Sequence, residues 1–294
     1  MILLDYSGIA VATITSEIRG QKNVELDPGL IRHMVINSIR SVNKKFRGQY
    51  GEMVICTDNR NYWRKSVFPY YKANRKEARE KSGIDWNFLF TVLREIRNEL
   101  EVYFPYKVIE VAGAEADDII AALATYAATN PISDNGIVEK FEPVLIVSGD
   151  HDFIQLQKFE NVKQYHPIKD GWIAPEVHID YYKFVHAVKG DSGDGIPNIF
   201  SPDNALVDKI RQKAVKEVDL KKWFEDRSTF VLDEEAQKKY ERNIKLTDLE
   251  HTPENIKQEI VNSYINQQKR DRSHLMEYFS QYKMRNLLSH IGDF

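Results

Sequence analysis

Val144-Leu-Ile-Val-Ser-Gly-Asp-His-Asp152 joins four apolar residues to a turn-forming Ser-Gly pair and two aspartates one residue apart. An Ile/Val/Leu run without polar alternation reads as a strand buried on both faces, the kind that lies inside a parallel sheet. The pattern recurs in Met1–Asp5 and Met53–Asp58, each an apolar run closed by an aspartate, and Tyr106–Val111 reads as a further strand. Helical spacing marks Leu30–Phe46, Trp86–Glu99, Ala116–Ala128 and the shorter Asp152–Leu156. Strands alternating with helices predict an α/β domain with a mainly parallel central sheet flanked by helices. In an open sheet of this kind the carboxyl ends of the strands share one edge, where ligand crevices form. Asp5, Asp58, Asp150 and Asp152 fall on that edge, and Glu115, Asp117 and Asp118 open the helix after the Tyr106 strand.

A strand-end aspartate taken alone is more often a helix cap or a turn residue, and the Glu115–Asp118 group alone reads equally as a cap. Together, with Asp191 and Asp194 added from the segment Lys189–Pro197, they would repel one another unless something positive sat among them. Oxygen-rich clusters suit Mg2+ or Mn2+, and two such ions about 3.5–4 Å apart can activate water and stabilise a leaving oxygen.

The chain has 294 residues, enough for one large core or two smaller ones, and at 42% hydrophobic and 29% charged it reads as a folded soluble protein. No apolar run approaches the ~18–20 residues of a membrane span, and no signal peptide is expected. A single cysteine, Cys56, excludes an intrachain disulfide and a multi-cysteine zinc site. Net charge is only −3, but Arg60–Lys81 carries eight Lys or Arg against Glu77 and Glu80, a local charge of +6. A basic stripe beside a carboxylate cluster is the distribution expected when one surface holds phosphates and another holds metal. If Tyr71–Lys81 is helical, Lys72, Arg75, Lys76 and Arg79 share one broad face. The interleaved Tyr62, Trp63, Phe68, Tyr70 and Tyr71 are then placed to stack on bases. From about Val177 the pattern turns mostly helical, with amphipathic segments at Asp203–Val215, Glu234–Ile244, Glu254–Gln268 and Leu275–Leu288.

Six stretches carry a resemblance: Leu3-Leu-Asp-Tyr-Ser7, Ile55-Cys-Thr-Asp58, Tyr70-Tyr-Lys-Ala-Asn-Arg75, Glu115-Ala-Asp-Asp118, Val147-Ser-Gly-Asp-His-Asp152 and Lys189-Gly-Asp-Ser-Gly-Asp-Gly-Ile-Pro197. In this order and spacing the chain resembles the flap endonuclease/5′-3′ exonuclease family of PIN-like nucleases, in the branch of the phage ribonucleases H. The resemblance implies an α/β nuclease domain over 1–185 with a helical arch at 60–83, and a helical duplex-binding domain over 186–294. It implies two Mg2+ ions, which Mn2+ can replace. Asp5, Asp58, Glu115, Asp117 and Asp150 would surround the first, and Asp118, Asp152, Asp191 and Asp194 would serve the second, partly through waters. Lys72 and Arg75 match the family's catalytic cations at the scissile phosphate. Arg64, Lys65, Tyr71, Lys76 and Arg79 in the arch, with Lys189, Gly193, Gly195, Lys209 and Lys213 beyond it, would contact nucleic acid.

The implied reaction is hydrolysis of phosphodiester bonds near the 5′ ends of RNA or DNA strands on duplex DNA, as in primer removal during lagging-strand replication. Expected partners are duplex DNA and RNA–DNA hybrid bearing a 5′ end, nick or flap, and a single-stranded-DNA-binding protein. A monomer in the cytoplasm, a host's if the chain is phage-encoded, completes the expectation. The family's helix–two-turn–helix motif is divergent here: Asn198 and Ser201 stand where glycines are expected. The turn is therefore expected to meet phosphates through those two side chains, without a tight potassium clamp. The residues themselves leave open a silent DNA-structure-binding protein and a different metal-dependent phosphohydrolase.

Overall fold

β1 (Ile2–Asp5) is buried along its whole length, which is why its sequence shows no polar alternation. After it come α1 (Tyr6–Glu17), α2 (Pro28–Tyr50), β2 (Met53–Cys56), α3 (Arg64–Val67), α4 (Arg75–Lys81), α5 (Trp86–Tyr103), β3 (Lys107–Ile109) and α6 (Ala116–Thr129). The remaining strands are β4 (Ile132–Asp134), β5 (Val138–Lys140), β6 (Val144–Val147), β7 (Val162–His166) and β8 (Gly171–Ile173). Then follow α7 (Ile179–Lys189), α8 (Glu217–Glu225), α9 (Glu234–Thr247), α10 (Glu254–Asn266), α11 (Leu275–Gln281) and α12 (Arg285–Leu288). This computed structural model describes residues 1–18, 26–134, 138–268 and 271–294. None of the described helices is long and apolar enough to cross a membrane.

The chain divides into two units by packing. The first holds Met1–Arg60, Gly83–Ala174 and Glu254–Phe294; the second holds Asn61–Ser82 and Pro175–Pro253. This differs from the expected division at 185/186. The basic stretch belongs with the helical segment, and the last helices return to the α/β unit.

In the first unit a six-stranded sheet runs β3-β2-β1-β6-β7-β8. All pairs are parallel except β7 with the edge strand β8. Register sets Ile2 beside Met53 and Leu145. The chain leaves β1 toward β2 and β3, then crosses to β6 on the other side, so the order reverses between β1 and β6. The core packs Ile31, Val35 and Ile39 of α2 and Leu89, Val92 and Ile96 of α5 against the sheet. α10 covers the β3 edge: the Val108 N–H donates to Gln267 Oε1 at 2.9 Å and Gln267 Nε2 donates to the Val108 carbonyl at 3.0 Å. One side-chain amide thus imitates a neighbouring strand.

Several elements depart from the sequence expectation. α1 was not anticipated because its small and β-branched residues show no apolar stripe. Asp152–Leu156 lies in a 3-10 helix, His151–Lys158. Asp203–Val215 is not helical but a run of turns and irregular chain, with Lys209 left-handed at φ 56°. Leu275–Leu288 breaks into α11 and α12 at Lys283, also at φ 56°.

Candidate active site

Asp5 ends β1 and begins α1 in one residue. Its carboxylate accepts from the Gly8 N–H at 2.9 Å, capping α1, and from Ser148 Oγ at 2.9 Å across the β1/β6 crevice. A Cβ on Gly8 would lie 2.2 Å from Asp5 Oδ2, so the carboxylate can fold back over the helix start only because Gly8 lacks one. Asp58, following β2, accepts from the Ala116 N–H at 2.9 Å and so tethers the start of α6. Asp150, after β6, accepts from the Asp152 N–H at 2.9 Å. Gln164 of β7, wholly buried, donates to the carbonyls of Ser148 at 3.1 Å and Asp150 at 2.6 Å, which fixes that loop. The sequence reading missed Gln164 along with β7; a polar residue inside a β-spaced run was its only signal.

The carboxylates are close enough to feel one another. Burial, then the Asp58 and Asp150 charges, push the Asp5 carboxyl up to about 6, against the pull of its hydrogen bonds. Burial likewise pushes the Cys56 thiol well up, and the charges of Asp5, Asp117 and Asp58 add to it. Asp5, Asp58, Asp117 and Asp150 therefore converge at the switch point of the sheet, where ligands of such folds collect. Their donors are hard oxygens and the thiol stays protonated, a set that fits Mg2+ or Mn2+ better than a softer ion. Glu115 and Asp118 are placed differently: both are buried, they form a capping box, and Asp118 accepts from the Glu115 N–H at 2.9 Å. Their first effect is to set the N-terminus of α6 so that Asp117 is presented. Asp152 is half-buried in the 3-10 turn.

In the second unit the basic stretch is not one helix. Only Arg75–Lys81 is α-helical; Lys72 lies in the preceding turn with φ 58°, so it does not share a helix face with Arg75, Lys76 and Arg79. Lys65 and Lys76 are exposed, as a phosphate-binding role requires. Arg79 is half-buried, and burial and then the neighbouring Arg75 charge lower its pKa. Arg64 corrects the expectation: it is 2% exposed and its Nε donates to the Leu246 carbonyl at 3.0 Å, so it braces α9 rather than meeting nucleic acid. Tyr71 does so too. Its ring is buried with Phe68, Ile196 and Leu246, closed to stacking on bases, and its hydroxyl donates to Asp194 Oδ2 at 2.7 Å.

Asp194 is where this unit's charges meet. Arg75 pairs with Oδ1, Lys72 Nζ lies 3.6 Å from Oδ2, and the Lys72 N–H donates to the Asp194 carbonyl at 2.7 Å. Burial works against its ionisation, but Lys72, Arg75 and the Tyr71 hydroxyl hold the carboxyl below its ordinary value. Asp191 goes the other way: burial and the Asp194 charge raise it, while its Oδ1 accepts from the Gly193 N–H at 2.7 Å. Gly195 has φ 74°, and a Cβ there would lie 3.0 Å from the Tyr70 carbonyl and 3.3 Å from Lys72 N. The glycine is required by the stretch packed on it, not by an approaching phosphate.

The altered turn also corrects the expectation. Asn198 and Ser201 are 6% and 0% exposed, too buried to reach a phosphate. Asn198 Nδ2 donates to the Lys213 carbonyl at 2.7 Å, its Oδ1 accepts from Ser201 Oγ at 2.9 Å, and Ser201 Oγ accepts from the Lys213 N–H at 2.9 Å. These bonds, with the Asn198 N–H donating to Gln212 Oε1 at 2.7 Å, tie residues 212 and 213 to the turn, which is why no helix forms over Asp203–Val215. Lys189 lies 3.2 Å from Glu217 and Lys209 2.5 Å from Glu77, both on the surface, while Lys213 is exposed.

Residues 25–188 match the family model described as the 5′-3′ exonuclease N-terminal resolvase-like domain, and 174–294 match that of the T4 RNase H C-terminal region. Ribonuclease H of Enterobacteria phage T4 is 31% identical over 99% of this chain and 95% of its own length. Flap endonuclease Xni of Shewanella denitrificans is 31% identical over 55% of this chain and 61% of its own. Among solved structures, T5 D15 protein co-crystallised with metal ions covers 90% of this chain and 97% of its own at TM-score 0.62 and 14% identity, a likeness of fold. T5 5′-exonuclease with bound zinc covers 90% of this chain and 98% of its own at TM-score 0.58 and 15% identity. The chain belongs to the 5′-3′ exonuclease and flap endonuclease family and is a metal-dependent nuclease.

Proposed function

We propose that the protein is a Mg2+-dependent 5′-3′ exonuclease and flap endonuclease that hydrolyses phosphodiester bonds near the 5′ ends of RNA or DNA strands on duplex DNA, including primers of the lagging strand. The convergence of Asp5, Asp58, Asp117 and Asp150 at the β1/β6 switch point carries this reading. Divalent ions bound by such carboxylates polarise phosphoryl oxygens and make water a better nucleophile, and two of them can serve both sides of an in-line displacement. Asp5, Asp58, Asp117 and Asp150 would hold the first ion, with Glu115 and Asp118 setting the helix beside it. Asp152 would serve the second. Lys72 and Arg75 offset charge developing on the phosphoryl oxygens. Lys65, Lys76, Arg79, Lys189, Lys209 and Lys213 attract duplex phosphates, so affinity falls with salt. Action as a monomer in the cytoplasm, alongside a single-stranded-DNA-binding protein, belongs to the same proposal.

The test uses 5′-labelled nicked DNA and RNA-primed duplexes with and without Mg2+. Wild-type protein cleaves only with metal. Asp150→Asn retains duplex affinity in Ca2+ but loses nearly all cleavage in saturating Mg2+. Turnover of Asp150→Asn within threefold of wild type, or no metal-dependent cleavage by wild type at stoichiometric protein, would refute the proposal.

A further inference from the structure

We propose that the Asp194 carboxylate is an internal stand-in for a substrate phosphate: in the substrate-free protein it fills the cradle made by Lys72, Arg75 and Tyr71, and a phosphate enters by displacing it. The inference rests on the reading of Lys72 and Arg75 as phosphate-facing residues and adds what they hold beforehand.

A guanidinium, an ammonium and a phenol converge on one carboxylate that is 15% exposed. That donor set also suits a phosphodiester oxygen pair, because arginine's fork matches carboxylate and phosphate alike. The cradle has a rigid frame. Besides the Lys72 N–H, Asn74 Nδ2 donates to the Ser192 carbonyl at 2.7 Å and Arg75 Nε to the Gly193 carbonyl at 3.1 Å. Three successive turn carbonyls, those of Ser192, Gly193 and Asp194, thus each receive a donor from Lys72–Arg75. Lys72 keeps a left-handed backbone, a conformation unfavourable for a side-chain-bearing residue, and this bonding holds it there. The ion pairs of Lys72 Nζ and Arg75 Nη2 with the carboxylate are distinct from these three bonds, so the carboxylate can let go while the bonds stay. Exchange of one anion for another leaves the cradle's charge nearly unchanged, which lets a substrate phosphate compete where a neutral ligand would not.

The control is Asp191, in the same turn. Its contacts are to backbone N–H groups of Gly193 and Asp194, which the amide oxygen of Asn can also accept. Asp191→Asn therefore removes equal charge without freeing Lys72 or Arg75.

The experiment measures equilibrium binding of a 5′-phosphorylated nicked duplex in EDTA. The forms compared are wild type, Asp194→Asn, Asp191→Asn, the double variant Lys72→Ala/Arg75→Ala, and that double variant carrying Asp194→Asn. Asp194→Asn should bind about fivefold tighter, the scale of one released ion pair, with a salt slope steeper by about 1–2. Asp191→Asn should change affinity less than about twofold, and in the double-variant background Asp194→Asn should give no gain. Equal gains from the two aspartate variants, or a gain that survives loss of both cations, would overturn the proposal. Should Asp194→Asn lose its folded circular-dichroism signature, Tyr71→Phe decides: a gain abolished in the double-variant background supports the stand-in, and no gain overturns it. Because binding is read without metal, failure to cleave would refute the proposed function and leave this result standing. Duplex bound by no form of the protein would overturn both.

Discussion

Asp5 answers three demands at once: it ends a buried strand, caps a helix and stands among like charges. The consequence appears in the pH dependence of stability. Below about pH 4 its carboxyl is protonated in both folded and unfolded chains. Between there and about 6 the unfolded chain ionises while the folded one holds its proton, so stability is lost as pH rises through that window. The loss should reach about 3 kcal/mol at neutral pH. Asp5→Asn keeps a good helix cap and abolishes this titration. Urea unfolding in EDTA should show the variant gaining on wild type by that amount between pH 4 and 7.5; a constant difference would refute the burial of this charge. Arg64 carries a different prediction. Its truncation to Ala should destabilise the protein by about 2–4 kcal/mol, whereas Lys65→Ala should stay within ~0.5 kcal/mol. The contrast marks what was legible. Asp5, Asp58 and Asp150 stand at or just beyond strand ends, as the sequence implied, because an apolar run announces its own end. Arg64 and the Tyr71 ring were misplaced because nothing local distinguishes a basic or aromatic residue facing solvent from one packed under a helix more than a hundred residues away.

Among the elements, α11 shows how a break can serve packing. Glu99 of α5 receives Arg32 of α2 in a bidentate pair, Nε at 2.7 Å and Nη2 at 2.8 Å. The hydroxyls of Tyr278, in α11, and Tyr282, just beyond it, donate to the same carboxylate at 2.6 and 2.9 Å. Burial and the bond to Glu99 push the Tyr282 phenol up to about 12. Removing one charge of a buried pair typically costs 3–5 kcal/mol, because the other is left uncompensated. Glu99→Gln should lower stability by about that amount, and pairing it with Arg32→Met should recover part of it. A double variant less stable than the single one would refute the account. Periodicity found α2, α5, α6, α9 and α10 because apolar residues recur at helical spacing in each. It joined α11 to α12, and it made a helix of Asp203–Val215. In both places a left-handed lysine or a side chain from a distant turn decides the backbone, and spacing cannot show either.

At the scale of the whole molecule, the order of residues along the chain is not the order of packing. The first unit is assembled from three stretches, and the last, Glu254–Phe294, supplies α10, Gln267 just beyond it on the β3 edge, and the tyrosines that close on Glu99. A chain ending at residue 253 holds every carboxylate assigned above, yet leaves Val108 unmet and Glu99 without its two phenols. It should show no cooperative urea transition, and cooperative unfolding of that fragment with wild-type midpoint would refute this dependence. The Gln267–Val108 amide pair has a consequence in time. During synthesis the β3 edge stays open until Gln267, 159 residues after Val108, has emerged from the ribosome. For that interval the nascent sheet offers a bare strand to whatever lies nearby. The protein should then lean on chaperones more than a domain whose edge strand is met by its near neighbours in sequence.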